Sequence, residues 1–167
     1  YRIFIIREGD QARFDSVRNI NHLKQIKAGQ GHDWVDVKIL QHNGLLVQTS
    51  TSYEALFTML SGRRFDYFPR SVFEAFTEVN ARPDMRIAVE NKLMLQYISP
   101  TFFFTNKLKT SVHKRISQGF WTMVVDGSFE GFFRNHPLTK ELFSNVRFTE
   151  RITFQLENPN LSEATAA

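Results

Sequence analysis

An alternation of short apolar runs with longer amphipathic segments constrains the fold most strongly. Apolar residues recur at helical spacing at Trp34, Val37 and Leu40, which predicts a helix from about Asp33 to His42. Strands are predicted at 1–7 (YRIFIIR), 45–49 (LLVQT), 65–68, 85–90 (MRIAVE) and 92–99 (KLMLQYIS). Strands that alternate with helices favour an α/β fold with a mainly parallel sheet.

Capping residues predict where the helices begin and end. Asp33 can cap the helix that precedes Gly44, because a short polar side chain accepts a bond from a free backbone N–H. Thr51 and Glu54 have capping-box spacing, and Gly62 fits the end of that helix. Pro69 then opens a further helix that ends near Asn80.

The part after residue 100 has a different pattern. "TFFFT" at 101–105 is a continuous apolar run, typical of a strand buried on both faces. A long amphipathic helix is predicted from Leu108 to Val124, stopped by Asp126-Gly127, and a short Phe-rich helix follows at 129–133. We expect the tail from Pro159 to fray.

Composition excludes several classes of protein. With 167 residues, 17 of them Phe, the chain can bury one substantial core. It has no Cys, which excludes disulfides and thiolate metal sites. The net charge of +4 is scattered, so nucleic-acid binding is not indicated. No apolar run approaches the about 18–20 residues that span a bilayer. Because the chain starts in a strand and without Met, we expect a fragment or a processed product.

Signals for catalysis, metals or cofactors are poor. The sequence contains no G-x-S-x-G elbow, no P-loop and no H-E-x-x-H motif, and its five histidines fall at no metal-ligand spacing. We therefore predict no catalytic residue, no metal site and no cofactor.

Two polar loops are the candidate binding features. In "AGQGHDW", a glycine-bearing turn from strand to helix can point backbone N–H groups at an anion, although an ordinary tight turn has the same pattern and Asp33 would repel an anion. In "PRS", Arg70 and Ser71 follow a predicted strand, where they could equally begin a helix.

The two loops could form one binding site if their strands are neighbours in the sheet. Ligands of open α/β sheets bind beyond the carboxyl ends of the strands, so adjacent strands would bring both loops to one crevice. The candidate ligand-binding residues are Gln30, Gly31, His32, Asp33, Arg70 and Ser71.

The order of these elements resembles the second lobe of bacterial extracellular solute-binding proteins of family 3, which have the type 2 periplasmic-binding fold. The matching series is "AGQG", then "TSYEALFTMLSGRRFDYF", the returning strands "LMLQYISPTFFFTNK" and a terminal helix pair in "GFWTMVVDGSFEGFF". "RITFQLENPNLSEAT" is similar to the C-terminal run of a subgroup of transporter-like substrate-binding domains. The resemblance covers nearly the whole chain.

This resemblance implies one complete Rossmann-like lobe plus the C-terminal part of the other. Residues 1–7 would be the outgoing hinge strand, 8–92 the second lobe, 93–104 the returning crossover, and 105–167 the C-terminal part of the first lobe with its tail. The first segment of the first lobe would be missing. A sheet edge left uncovered there could pair with a second copy of the chain.

The resemblance also implies a function. A periplasmic, non-enzymatic binding protein would close two lobes about a hinge over a small solute and signal to a membrane permease or sensor. Gln30 and Gly31 match the family's carboxylate-receiving turn, but His32 and Asp33 replace its hydroxyl residues. The family's acidic residue would fall near Ser71, beside Arg70, so the expected solute is polar or anionic and possibly amino-acid-like.

Two alternatives remain open. The same fold serves as the extracellular sensing domain of receptors and wall enzymes, and the related cyclohexadienyl dehydratases use the cleft as an active site. In a dehydratase-like enzyme, Asp33 would be the general acid.

Overall fold

The computed structural model describes residues 1–137, 139, 140, 142–162 and 165. These residues form two compact units. The first contains Tyr1–Ser99 and the described part of 146–167, and the second is Pro100–Asn145.

The first unit carries a seven-stranded sheet in the order β3-β2-β4-β1-β6-β7, with β5 beside β1. Its strands are β1 Arg2–Arg7, β2 Ala28–Gly31, β3 Val47–Ser50, β4 Tyr67–Ser71, β5 Ile87–Val89, β6 Leu93–Gln96 and β7 Ile152–Gln155. Its helices are α1 Gln11–Asp15, α2 Ile20–Leu23, α3 Val35–His42, α4 Tyr53–Ser61 and α5 Ala75–Asn80, with 3₁₀ turns at Pro83–Met85 and Phe148–Glu150.

Strand direction sets where the loops meet. β2 is parallel to β3 and β4, and β6 is parallel to β7, whereas β1 is antiparallel to β4, β5 and β6. All strands of this sheet except β1 therefore run the same way, and their carboxyl ends share one edge. The predicted α/β class is confirmed, but the sheet is mixed because the reversed β1 lies near its centre.

Both faces of the sheet are packed. Successive side chains of a strand point to opposite faces. Tyr67 packs on Phe4, with ring centroids 4.6 Å apart, and Phe68 packs on Phe57 of α4 at 5.4 Å. The core on the Tyr67 face also takes in residues of α1, α2 and α3 and of the C-terminal strand.

Several predicted boundaries are wrong by a few residues. Asp33 does not cap α3: the N-cap is Trp34, and the Asp33 side chain is 94% exposed. Ser52, not Thr51, caps α4, because its Oγ accepts the Ala55 N–H. Gly62 is the C-cap of that helix, as predicted. The strand predicted at 65–68 lies at Tyr67–Ser71, because these five residues pair with 2–6 of β1. Pro69 therefore lies within the strand, and the helix that it was predicted to open begins at Ala75.

The second unit contains α6 Thr110–Val125 and α7 Ser128–Asn135, which confirms the two helices predicted there. A further helix, α8, spans Leu142–Val146, and all of it except Val146 belongs to this unit. Gly127 separates α6 from α7 with a left-handed φ of 77°. The strand predicted for "TFFFT" is wrong: Phe103 and Phe104 are 74% and 92% exposed and belong to no strand. Within the described part of this unit there is no strand with which 101–105 could pair.

The helices of the described residues include none with the length and apolarity to cross a bilayer.

Candidate functional site

The two predicted loops lie side by side at the carboxyl edge of the sheet. β2 and β4 are neighbours, and Gln30 Nε2 donates to the carbonyl of Pro69 across 3.2 Å. The turn after Gly31 and the end of β4 at Arg70 and Ser71 therefore lie next to each other at the same edge of the sheet. This adjacency confirms the condition on which the sequence prediction depended. Whether the residues bind a solute stays a prediction.

Gln30 and Gly31 are buried parts of the turn. The Gln30 side chain is fully buried, and its Oε1 has no hydrogen-bond partner among the described residues. The indole of Trp34 covers Gly31: a Cβ at Gly31 would lie 2.4 Å from Trp34 Cε2. Glycine is therefore required where the chain turns under the ring.

His32 and Asp33 present their side chains to solvent. Their side chains are 60% and 94% exposed, and His32 Nε2 lies 3.9 Å from Asp33 Oδ1. The His32 N–H donates to the Ser50 carbonyl at 2.9 Å, which carries the β2–β3 pairing one residue past the strand. The His32 ring also has its Nδ1 3.5 Å from Thr49 Oγ1.

Arg70 is held by two carboxylates of α5 and the turn before it. Its Nε lies 2.8 Å from Glu78 Oε2, its Nη2 lies 2.6 Å from Glu78 Oε1, and Nη2 also lies 3.0 Å from Glu74 Oε2. Burial lowers the pKa of Arg70, but the hydrogen bond and charge of Glu78 raise it above its ordinary value. The guanidinium thus stays charged, and its charge is already matched.

Aromatic rings surround this ion pair. Arg70 Cζ lies 4.7 Å from the ring centroid of Trp34 and 5.7 Å from that of Tyr53. The Tyr53 hydroxyl donates to Glu78 Oε1 at 2.7 Å. Burial, and then this hydrogen bond, raise the pKa of Tyr53 to about 12. We call Trp34, Tyr53, Arg70 and Glu78 the Arg70 cluster.

Ser71 has a local role in the structure. Its Oγ accepts the Phe73 N–H at 3.3 Å, and its Cα pairs with that of Arg2 on β1. Ser71 thereby closes the turn after β4 and places Arg2 at the same edge of the sheet.

Sequence reasoning missed Trp34, Tyr53 and Glu78, which define the chemistry around Arg70. The Gly-x-x-Trp spacing at Gly31 and Trp34 is a local signal that a ring can cover a glycine. Nothing in the sequence indicates the pairing of Arg70 with Glu78. In the described part of the chain, no three His, Asp or Glu side chains group closely enough to hold a metal ion.

No protein-family model and no curated protein matches the sequence. Among solved structures, YckB from Bacillus subtilis is similar over 93% of this chain and 61% of its own, with a TM-score of 0.53 and 17% identity. An ancestral arginine-binding protein bound to glutamine is similar over 80% of this chain and 57% of its own, with a TM-score of 0.49 and 16% identity. The periplasmic VFT2 domain of BvgS from Bordetella pertussis is similar over 53% of this chain and 37% of its own, with a TM-score of 0.44 and 15% identity.

The similarity to YckB, with its TM-score of 0.53, shows the class of the fold. It is the type 2 periplasmic-binding fold, and the resemblance predicted from the sequence is confirmed at that level. The chain spans at most 61% of the length of these three structures.

Proposed function

We propose that the chain is a periplasmic solute-binding protein that captures a small polar, amino-acid-like solute in a cleft at the carboxyl edge of β2 and β4. The observation that supports the proposal is the pairing of these two strands, which brings the turn 31–33 and the Arg70 cluster to one edge of the sheet. The type 2 periplasmic-binding fold supports it, since lobes of this kind close about a hinge over a ligand.

The charges at this edge favour a polar or zwitterionic solute over a simple anion. Arg70 is paired with Glu78 and Glu74, so little of its positive charge is left for a ligand. Glu74 is 48% exposed and Asp33 is 94% exposed, which adds negative charge at the same edge. An ammonium group would be attracted to these two carboxylates. The N–H groups of His32 and Trp34 already donate to the carbonyls of Ser50 and Gly31, so a solute carboxylate would meet the first N–H groups of α3 instead.

The roles of the six predicted residues follow from their positions. His32 and Asp33 would contact the solute directly because their side chains are exposed. Gln30 and Gly31 would shape the turn, since both are buried. Arg70 and Ser71 would form the facing wall, and a membrane permease or a sensor would receive the closed form.

The dehydratase alternative receives no support from the position of its acid. A general acid that works near neutral pH needs surroundings that raise its pKa, usually by burial. Asp33 is 94% exposed. A sensing domain would bind its solute in the same way and would differ only in its partner.

Calorimetric titration of the full-length gene product, purified from the osmotic-shock fraction of its own cells, tests the proposal. The probes are the standard L-amino acids, beginning with glutamine and arginine, the solutes named for one of the similar structures. We expect micromolar binding of at least one probe, weakened about tenfold in Asp33→Ala. Asp84→Ala, an exposed carboxylate at the opposite edge, is the matched control. Recovery of the protein only from the cytosol, with no heat from any probe, would contradict the proposal.

A further inference from the structure

A second polar group at the carboxyl edge connects two strands to the helix that follows the candidate binding turn. Arg2 Nε donates to Asp36 Oδ1 at 2.9 Å, and the Tyr97 hydroxyl donates to the same oxygen. Arg2 Cζ also lies 5.2 Å from the ring centroid of Tyr97. Each of the three side chains therefore contacts the other two, and we call them the Asp36 group.

The Asp36 group is sheltered from water. The Arg2 and Asp36 side chains are 20% and 17% exposed, and Tyr97 is 8% exposed. Burial, and then the charge of Asp36, raise the pKa of Tyr97, so its hydroxyl remains a donor at physiological pH. Ion pairs that are shielded in this way are screened by salt less than exposed pairs.

The Asp36 group lies where the ends of two strands meet the first turn of α3. Arg2 is the first residue of β1, Tyr97 directly follows β6, and these adjacent strands pair at Arg2 and Leu95. Asp36 lies in the first turn of α3, three residues after Asp33. One carboxylate thus holds the ends of two neighbouring strands against the helix that begins at the candidate binding turn.

We infer that Asp36 is a positioning residue that couples the binding turn 31–33 to the ends of β1 and β6, so that solute binding and the conformation of residues 93–98 depend on each other. The inference rests on the proposed function. Asp36 acts through Arg2 and Tyr97, not by touching the solute. A solute that fixes the turn fixes the start of α3, and the Asp36 contacts carry that restraint to the two strands. By linkage, strands that are held in place favour the turn that binds the solute.

Amide hydrogen–deuterium exchange of the full-length protein, with and without L-glutamine or L-arginine, tests the inference beside the binding titration. In the wild type we expect the probe that binds to slow exchange in 93–98. In Asp36→Asn we expect faster exchange there in the free protein, loss of the probe-induced slowing, and a Kd about tenfold higher. Tyr97→Phe keeps the Arg2–Asp36 pair and should show the same changes at smaller size, so it replaces Asp36→Asn if that variant does not fold. Asp84→Asn is the control.

The outcomes separate this inference from the proposed function. A purely structural role would speed exchange in the free variant but leave the probe-induced slowing and the Kd unchanged, which would overturn the coupling. Unchanged exchange in the free variant would overturn the inference at its first step, whether or not a probe binds. Failure of every probe to bind the wild type would count against the proposed function and would overturn the coupling to it, while the exchange of the free variant would still show whether Asp36 holds the strand ends.

Discussion

Arg70 on β4 and Glu78 on α5 form a two-point ion pair, with Nε 2.8 Å from Oε2 and Nη2 2.6 Å from Oε1. Their side chains are 12% and 10% exposed. Both charges have therefore lost most of their hydration, and each compensates for much of the desolvation of the other. The pair holds α5 against the end of β4 and fixes one wall of the candidate cleft.

Replacing Glu78 by Gln should strongly destabilise the protein. The change leaves the Arg70 charge with only Glu74, and removing one partner of a largely buried pair costs about 3 kcal/mol, the low end of the usual range because Glu74 remains. The unfolding free energy from urea titration measures the effect. The pKa of Tyr53 should also fall toward its ordinary value, since Glu78 no longer accepts its hydroxyl as a carboxylate; absorbance of the phenolate reports this.

Glu74→Gln is the matched control for that change. Glu74 contacts the same guanidinium but is 48% exposed, so its loss should cost less than about 1 kcal/mol. Equal effects of the two substitutions would show that the two-point geometry of Glu78 does not matter.

Replacing Gly31 by Ala should displace Trp34. The added Cβ would lie 2.4 Å from Trp34 Cε2, and the ring cannot move without losing its stack on Phe68, where the planes differ by 19°. We expect a loss of about 1–3 kcal/mol and a change in tryptophan emission.

Gly119→Ala provides the comparison for the Gly31 change. A Cβ at Gly119 in α6 meets no atom within 4 Å, so this variant should keep or slightly raise the stability, because Ala favours a helix by about 1 kcal/mol over Gly. A Gly31→Ala variant with unchanged emission and stability would mean that Trp34 does not cover the turn.

Much of the fold could be predicted because its signals are local. The alternation of strands and helices, the helix stop at Gly62 and the helix pair at α6 and α7 all follow from the spacing of apolar residues and glycines. The run "TFFFT" shows the limit: an apolar run predicts burial only where a partner surface exists, and the sequence of the run does not supply one.

The candidate site, too, could be predicted only in part. The meeting of the turn after Gly31 with Arg70 was predicted only on the condition that their strands are neighbours, because parallel strands place their carboxyl ends at one edge; the structure supplies that adjacency. The partners that fix the chemistry were not, because they come from distant positions: Glu78 lies eight residues from Arg70, and Asp36 is 61 residues from Tyr97. Such pairings depend on how elements pack, which no local pattern records.

The N-cap of α4 offers a direct test of one corrected boundary. Ser52→Ala removes the acceptor of the Ala55 N–H, a bond of 3.3 Å, and should lower the unfolding free energy by about 1 kcal/mol. Thr51→Ala, one residue earlier, should change it by less than about 0.5 kcal/mol because Thr51 is exposed and is not the cap. The reverse order of the two effects in thermal or urea unfolding would restore the capping box predicted from the sequence.

Asp66 should make the stability depend on pH in the acid range. Burial raises its pKa, but the bond from the Lys27 N–H and the contacts with Arg13 and Arg7 lower it more, so the pKa lies below its ordinary value. A carboxyl group whose pKa is depressed by folding stabilises the fold at pH values above its unfolded pKa, about 3.9, and loses that contribution as pH falls through the folded pKa.

The measurement is the difference in unfolding free energy between the wild type and Asp66→Asn from pH 7 to pH 3. We expect the wild type to be more stable at pH 7, by an amount that is constant down to about pH 5 and shrinks below about pH 4. Asp84→Asn, at an exposed carboxylate, should show a far smaller difference across the range. A difference for Asp66→Asn that stays constant to pH 3 would show that the Lys27 and Arg13 contacts do not favour the charged carboxylate.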